Sequence, residues 1–331
     1  MRRRFTRWLG NARLIAGVLL LAAQMGGCAL IIPQTAELYD QWPAALPERA
    51  ELSEVPFFAQ REYHCGPASL ATTLRYAGID ISPDELVARV YLPARHGSLQ
   101  AEMLAAPRTY GIVSYQLSPR FEDMLREVAA GNPVIVLQDF GVWPISVWHY
   151  AVVVGYERAK GEVILRSGSR KRLTMPFAVL EYVWKESDYW AMVSLAPGQI
   201  PATATEVDYA KALAAVARVS DPRTVARGYA AFLSRWPDDP AAAIAQGNAL
   251  YSLGELKEAE SVLRRALEHH SDSVPILNNL AQVLSDLGRN DEALPLIEKA
   301  LATSGPFSAF AQETHELILR RISSSGGSSP R

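Results

Sequence analysis

The spacing of apolar residues changes character twice along this chain of 331 residues. From residue 55 to 196, helical spacing comes first: Leu70, Leu74 and Ala77 share one helix face, and Gly78 ends that helix. Two more helices are predicted over 99–110 and 119–130, and a capping box at Ser82–Glu85 begins another. Short β-branched or aromatic runs follow at 134–137, 150–154, 163–165 and 189–193. Helices followed by clustered strands predict an α+β domain over 55–196.

Beyond residue 205 the sequence is alanine-rich and repeats itself every 34 residues. Gly254 and Gly288 are one period apart, and four further pairs share it: Ala259 and Ala293, Ala266 and Ala300, Leu250 and Leu284, Leu267 and Leu301. This is the period of the helix–turn–helix unit of tetratricopeptide repeats, so an all-α solenoid is predicted over 206–322. A degenerate first copy covers 206–239, and 307–322 is predicted to be a capping helix.

The segments beside these two regions lack a clear period. Residues 29–54, interrupted by three prolines, are predicted to be a tether. Residues 197–205 are predicted to be an interdomain linker, and the Ser/Gly-rich residues 323–331 a disordered tail.

The N-terminal residues have the features of an export signal. Five arginines precede an apolar run over 14–23, which is about half the length that spans a bilayer. The small residues before Cys28 resemble the lipobox of bacterial lipoproteins, and Ala29 after it is similar to signals for the outer membrane. The resemblance implies that 1–28 is a lipoprotein signal peptide with its lipobox cysteine, that the chain is cleaved immediately before Cys28, and that the lipidated Cys28 is an anchor at the periplasmic face of the outer membrane. A plain secretory signal with an incidental cysteine is the alternative.

Composition excludes some classes of function. The formal net charge of −2 gives no general attraction to nucleic acid. No metal or phosphate-binding spacing occurs, so no cofactor is predicted. The chemistry therefore centres on Cys65, the second of two cysteines. With Cys28 acylated, Cys65 is a single thiol where a polar loop meets a helix, and a helix start favours thiolate. A small buried apolar residue is the alternative.

A cysteine nucleophile needs a base and donors for the oxyanion. His149 stands at the mouth of an apolar strand, from which its imidazole can reach a helix start packed across the sheet edge. Gln60, five residues before Cys65, is a candidate oxyanion donor together with the backbone N–H of Cys65.

The runs that contain these residues, Gln60…Cys65-Gly66-Pro67-Ala68-Ser69-Leu70 and His149-Tyr150-Ala151-Val152-Val153-Val154-Gly155, resemble cysteine peptidase family 39. This is a papain-like, bacteriocin-processing family that cuts leader peptides after paired glycines. The resemblance covers about 55–195 and implies Cys65 as nucleophile, His149 as base and Gln60 in the oxyanion hole.

The chain departs from this family at Ser167, which stands where the family has an aspartate that orients the histidine. A hydroxyl can orient His149 through a hydrogen bond but cannot stabilise the imidazolium by charge. Weak, differently tuned or lost activity is therefore expected. The transporter segments of the family are absent, so the specificity for paired glycines is not carried over.

Other residues have simpler interpretations. His64 is expected to point away from the site, and Asp139 could lie near it as an alternative orienter of His149. The pair His269–His270 is predicted to be a partly exposed surface pair rather than a metal site. The basic hairpin of Arg166, Arg170, Lys171 and Arg172 is predicted to be solvated, and the aromatic Trp143, Trp148, Trp184 and Trp190 to belong to the core or the cleft wall.

The sequence thus predicts a lipid-anchored cysteine peptidase that hydrolyses peptide bonds through a thioester, with repeats that recruit a protein partner or substrate. Two alternatives stay open. One is an inactive peptidase fold that acts as a binding scaffold, and the other is an amidase with a non-peptide substrate. A spacer role for the repeats is a further possibility.

Overall fold

The computed structural model describes residues 32–142, 144–303 and 305–326, which form two compact units. The first unit contains the described residues up to Leu104 together with Gln116–Ser194. The second contains Ala105–Tyr115 and the described residues from Leu195 onward. Residues 105–115 were predicted in the first domain. They group with the second because Tyr115 packs its ring on Tyr209 and accepts the backbone N–H of Thr205 with its hydroxyl.

The first unit is an α+β domain, as predicted. Its helices are α1 (Pro33–Asp40), α2 (Cys65–Tyr76), α3 (Pro83–Val90), α4 (Gln100–Ala105, whose last residue is in the second unit), α5 (Phe121–Ala129) and α6 (Phe177–Trp184). Its strands are β1 (Arg49–Glu51), β3 (Val134–Asp139), β4 (Trp148–Glu157), β5 (Glu162–Ser167), β6 (Arg170–Pro176) and β7 (Ala191–Leu195). Strand β2 (Val113–Gln116) lies at the division between the units.

An antiparallel sheet in the order β7-β3-β4-β5-β6 carries the site. The central strand β4 is buried from Tyr150 to Tyr156, which explains its almost wholly apolar sequence. Helix α2 packs on β4 with Gly66–Leu74 buried throughout. This packing brings the N-terminus of α2 to the start of β4. The predicted capping box is present at α3, where Glu85 accepts the backbone N–H of Ser82 at 2.9 Å.

The prediction of a tether over 29–54 is wrong for its described part. Helix α1 packs on α6, and β1 pairs with the far end of β4, Ala50 opposite Tyr156. The buried carboxylate of Glu181 accepts the backbone N–H groups of Gln34 and Thr35 at the start of α1. These groups have no partner within the helix, so a distant carboxylate takes the place of a local cap.

The second unit is a stack of antiparallel helices, as predicted. Its helices are α7 (Glu206–Ala217), α8 (Pro222–Arg235), α9 (Pro240–Ser252), α10 (Leu256–His269), α11 (Val274–Asp286), α12 (Asn290–Leu301) and α13 (Ser308–Gly326). Gly254 and Gly288 have φ of 75° and 79° and make equivalent turns between paired helices. Helix α13 is the predicted capping helix, but it continues to Gly326, into residues that were predicted to be a disordered tail.

The predicted linker is bound to the second unit. The carbonyl of Gln199 accepts the hydroxyl of Tyr209, and that of Pro201 accepts a guanidinium N–H of Arg235. Among the described residues, no helix has both the length and the apolar character needed to cross a membrane.

Candidate active site

A cleft of about 930 Å³ in the first unit contains three of the predicted site residues. Gln60, Cys65 and His149 all line it, although they come from a loop, a helix start and a strand start. Folding therefore brings the predicted nucleophile, base and oxyanion donor into one cavity. The predicted lipidation site, Cys28, lies outside the described residues.

Cys65 is the first residue of α2, and its thiol is mostly buried. Burial raises the pKa of the thiol above its ordinary value, and the backbone N–H groups of Tyr150, Gly66 and Cys65 itself lower it by less. The expectation that the helix start yields a stabilised thiolate is therefore wrong for this state of the site. Desolvation of the charged form outweighs the helix start.

His149 is also mostly buried, and desolvation lowers its pKa, so its neutral form is favoured. Its Nε2 and the hydroxyl of Ser167 share a hydrogen bond of 2.8 Å. Ser167, at the end of β5, thus makes the contact that was predicted for it. A serine hydroxyl can accept from Nε2–H or donate to Nε2, so it orients the ring without a fixed charge.

Gln60 is held by a network that links three segments of the first unit. The side-chain Oε1 of Gln60 accepts the backbone N–H of Gly168 at 2.8 Å, and the backbone N–H of Gln60 donates to the Gly168 carbonyl at 2.9 Å. Its Nε2 donates to the Tyr150 carbonyl at 3.1 Å and approaches the Ser69 hydroxyl at 3.3 Å. Ser69 donates to the same carbonyl at 3.2 Å. The turn Ser167–Gly168 therefore positions both His149 and Gln60.

The rim of the cleft has an unusual backbone. Tyr63, His96 and Asp188 line the cleft and have φ of 61°, 47° and 53°, in the left-handed region that such residues seldom adopt. Gly66 lies against the same rim, since a Cβ there would be 2.3 Å from the hydroxyl of Ser98. Only glycine fits after Cys65 without displacing the loop of Ser98.

Asp139 and His64, the other candidates near the site, make contacts that are separate from the pair His149–Ser167. The carboxylate of Asp139 accepts the N–H groups of Gly141 and Val147 at 2.8 and 2.7 Å, and these bonds lower its pKa. It holds a loop, whereas Ser167 contacts His149. The ring of His64 packs on Tyr91 with centroids 5.2 Å apart.

Predictions for the remaining residues had mixed outcomes. Arg166 is buried rather than solvated, and its guanidinium donates to the carbonyls of Leu52, Ser53, Val55 and Lys171. The solvated role predicted for Arg170, Lys171 and Arg172 is observed, and all three side chains are exposed. Trp184 and Trp190 are buried, Trp148 lines the cleft, and Trp143 lies outside the described residues.

The histidine pair of the second unit contacts Asp238. His269 lies 3.7 Å from its carboxylate, and Nε2 of His270 lies 2.8 Å from its carbonyl. No cluster suited to a metal ion occurs within the described residues.

Sequence reasoning missed the contributions of Ser69, Gly168 and Arg166. Ser69 and Gly168 act through the network around Gln60, and Arg166 fixes the segment that leads to Gln60. A basic residue inside the otherwise apolar run of β5 was a signal that could have identified Arg166 as buried.

Two protein-family models match separate parts of the chain, and the first of them includes residues 105–115. Residues 52–192 match the family described as "Peptidase_C39 like family", and residues 250–311 match the tetratricopeptide repeat. No curated protein matches the chain.

Similar solved structures cover one unit or the other. A "putative C39-like peptidase from Bacillus anthracis" is 19% identical, with a TM-score of 0.39 over 45% of this chain and 98% of that one. A "double glycine motif protease from AMS/PCAT transporter in complex with the leader peptide" is 21% identical, with a TM-score of 0.34 over 43% and 91%. The "TPR2B-domain:pHsp70-complex of yeast Sti1" is 16% identical, with a TM-score of 0.33 over 35% and 97%. The assignment stands on the two family matches: this chain joins a C39-like peptidase domain to tetratricopeptide repeats.

Proposed function

We propose that the first unit hydrolyses peptide bonds with Cys65 as nucleophile and His149 as base. The observation that supports this most directly is the convergence of Gln60, Cys65 and His149 on one cleft, with His149 held by Ser167. A thiol, an imidazole with a fixed ring and an amide donor are the parts that acyl transfer to cysteine requires.

The proton transfer follows from the hydrogen bond of His149. With Nε2–H donated to the hydroxyl of Ser167, Nδ1 carries the lone pair that accepts the proton of Cys65. Burial disfavours both charged partners, so the free site holds a neutral thiol and a neutral imidazole. Proton transfer then accompanies attack on the substrate carbonyl, since none of the carboxylates that the structure describes contacts the ring to stabilise an imidazolium beforehand.

The tetrahedral oxyanion is stabilised by the backbone N–H of Cys65 and by Nε2 of Gln60. In the free site both hydrogens of Nε2 are directed at the Tyr150 carbonyl and the Ser69 hydroxyl. The contact with Ser69 is the longer one, and Ser69 keeps its own bond to the carbonyl. The N–H of Gln60 that contacts Ser69 in the free site is therefore the one that donates to the oxyanion. His149 then protonates the leaving amine, and water hydrolyses the thioester.

The decisive experiment measures covalent capture and turnover separately. The full chain is treated with a peptidyl acyloxymethyl ketone, and its intact mass and labelled peptide are determined. In parallel, new N-termini are counted in a proteome-derived peptide library. One adduct on Cys65 and new termini absent from Cys65→Ser are expected. If the chain forms no adduct and produces no new N-termini, the proposed peptidase activity is refuted.

A second candidate function is a binding scaffold with an inactive site. Two observations favour it: a serine contacts His149 where a carboxylate would stabilise charge, and the pKa of Cys65 is raised. A scaffold binds peptides without consuming them. If the full chain retains peptides uncleaved, and Cys65→Ser retains them to the same extent, the scaffold function is established in place of hydrolysis.

We also propose that Cys28 carries a lipid anchor in the bacterial cell envelope, at the periplasmic face of the outer membrane. The support is the sequence alone: a basic start, a short apolar run and small residues before Cys28. Cys28→Ser is expected to abolish acylation, read by intact mass, and to release the chain from membrane fractions. Unchanged fractionation with an uncleaved signal would refute the lipid anchor.

The repeats are proposed to bind a peptide or protein partner. Stacked helix pairs present an extended concave surface to a chain or a helix. Asn248 of α9 and Asn279 of α11 stand one above the other on successive pairs, joined by a hydrogen bond of 2.8 Å. Peptide-array binding by the full chain should weaken in Asn248→Ala with Asn279→Ala. Unchanged binding would leave the repeats as a spacer.

A further inference from the structure

One loop at the rim of the cleft is strongly apolar and exposed. It joins β3 to β4, and we define the apolar rim loop by Phe140, Val142, Ile145, Val147 and Trp148. Each of these side chains is between 46% and 82% exposed, and the sequence from 140 to 148 contains no charged residue. Side chains of this size, exposed together, are typical of a surface that meets a partner or a membrane.

The exposure is built into the fold of the loop. Asp139 accepts two backbone N–H groups of the loop, and the N–H of Ile145 donates to the Val142 carbonyl at 2.9 Å. Gly141 packs tightly inside this turn, because a Cβ there would be 2.0 Å from the Ile145 carbonyl. With the backbone folded on itself, the apolar side chains face outward.

The direction of α1 shows where the chain leaves the first unit. The start of α1 bonds to Glu181, and its end packs Tyr39 on Phe177, the first residue of α6, with ring centroids 6.3 Å apart. Helix α1 therefore runs antiparallel to α6. Pro33 lies toward the C-terminal end of α6.

That end of α6 adjoins the rim of the cleft. Just after α6, the hydroxyl of Ser187 donates to the Leu137 carbonyl at 2.7 Å, near the end of β3. Leu137 and Ser187 both line the cleft, and the apolar rim loop begins three residues after Leu137. Pro33 therefore lies at the same end of the first unit as the cleft and the apolar rim loop.

The proposed anchor is separated from this end by very little chain. From Cys28 to Pro33 there are five residue steps, which span at most about 18 Å. This part of the inference rests on the proposed acylation of Cys28. A membrane attached there must lie close to Pro33, because α1 is bound to the domain and does not act as a tether.

We propose that the apolar rim loop lies in the lipid interface, so that the cleft opens at the membrane surface. The occupant is the phospholipid bilayer: Phe140 and Trp148 are side chains of the kind that interfacial anchors use, the valines and the isoleucine add exposed apolar area, and the lipid anchor holds the loop within reach. The substrates favoured by this arrangement are peptides presented at the bilayer surface, such as segments next to a lipid anchor or a membrane span.

The test places an environment-sensitive fluorophore on the loop of the acylated full chain. Ile145→Cys in a Cys65→Ser background gives a single free thiol, because acylation blocks Cys28. The labelled chain is reconstituted into vesicles of phosphatidylethanolamine and phosphatidylglycerol, with and without a spin-labelled lipid. Val142→Cys is a second label site. The control is Ala159→Cys, exposed on the turn after β4, roughly 30 Å along that strand from Trp148.

Blue-shifted emission and strong quenching by the spin-labelled lipid are expected at 145 and 142, and neither at 159. Emission at 145 and 142 equal to that at 159 in acylated chain would overturn the loop contact alone. Emission that depends on protein concentration in detergent, with no quenching by lipid, would assign the loop to a second copy of the chain. An unmodified Cys28 in the intact mass would refute the anchor, and the proximity argument with it.

Discussion

The two units hold their polar groups in opposite ways. In the first unit, buried polar side chains join segments that are far apart in sequence: Glu181 caps α1 across 146 residues, and Arg166 reaches Val55 across 111. In the second, the exposed guanidinium of Arg289 pairs with the partly buried Glu260 of a neighbouring helix and with the exposed Glu292. The first unit therefore depends on a few irreplaceable contacts, whereas the second depends on a repeated apolar pattern.

The largest expected effect concerns the site of the first unit. His149→Ala removes the base, so adduct formation and hydrolysis by Cys65 should fall by about 10²–10⁴-fold. His64→Ala is the matched control, because His64 is next to Cys65 but packs on Tyr91. Rates are measured by intact mass against time. An equal loss in both variants would refute the assignment of the base.

Arg166→Met should lower the free energy of unfolding of the first unit by about 3 kcal/mol, because it removes the donor to the buried carbonyl of Val55 and to the partly buried carbonyls of Ser53 and Lys171. Arg172→Met, in the same hairpin but exposed and paired with Glu51, should have a small effect. Urea unfolding followed by tryptophan fluorescence compares the two. Equal shifts would show that the buried guanidinium is not what joins these segments.

Gly288→Ala should destabilise the second unit by about 1 kcal/mol, since its φ of 79° is unfavourable for a residue with a Cβ. Gly254→Ala should cost the same, because it occupies the equivalent turn and neither Cβ would meet another atom within 4 Å. Urea unfolding followed by circular dichroism at a helix wavelength measures both. A loss in only one variant would contradict the equivalence of the turns.

The smallest change at neutral pH is expected from Ser167→Asp, which acts mainly on the pH dependence. A carboxylate beside His149 favours the imidazolium, so it raises the pKa of the ring from its lowered value and stabilises an imidazolium–thiolate pair with Cys65. Alkylation of Cys65 should begin at lower pH, because an imidazolium favours the thiolate. Ser167→Asn is the neutral control. Identical profiles for both variants would show that charge at this position does not reach Cys65.

The repeats and the motif around Cys65 could be predicted because each depends on short stretches of sequence. The 34-residue period fixes the helix pairs and their glycine turns, and the motif around Cys65 identifies a helix start next to a strand. Both depend on local spacing. This is why α2, β4 and the contact between His149 and Ser167 were found.

Contacts across the sheet could not be predicted in this way. Helix α1 was missed because its buried cap comes from Glu181 and not from a nearby residue. Arg166 was placed in solvent because its acceptors are backbone carbonyls, which leave no pattern in the sequence. The pKa of Cys65 was given the wrong direction because the motif specifies the helix start but not the depth of burial.

The hydrogen bonds around Gln60 also determine when, during folding, the site around Cys65 is assembled. Gln60 meets Gly168 across 108 residues and Tyr150 across 90, so these bonds form only when the sheet closes. Until then the thiol of Cys65 lacks the burial that raises its pKa in the folded chain. Contacts this distant form late and slowly during folding. An emerging or unfolded chain therefore lacks the assembled site that the proposed hydrolysis requires, so that activity is expected only from the completed fold.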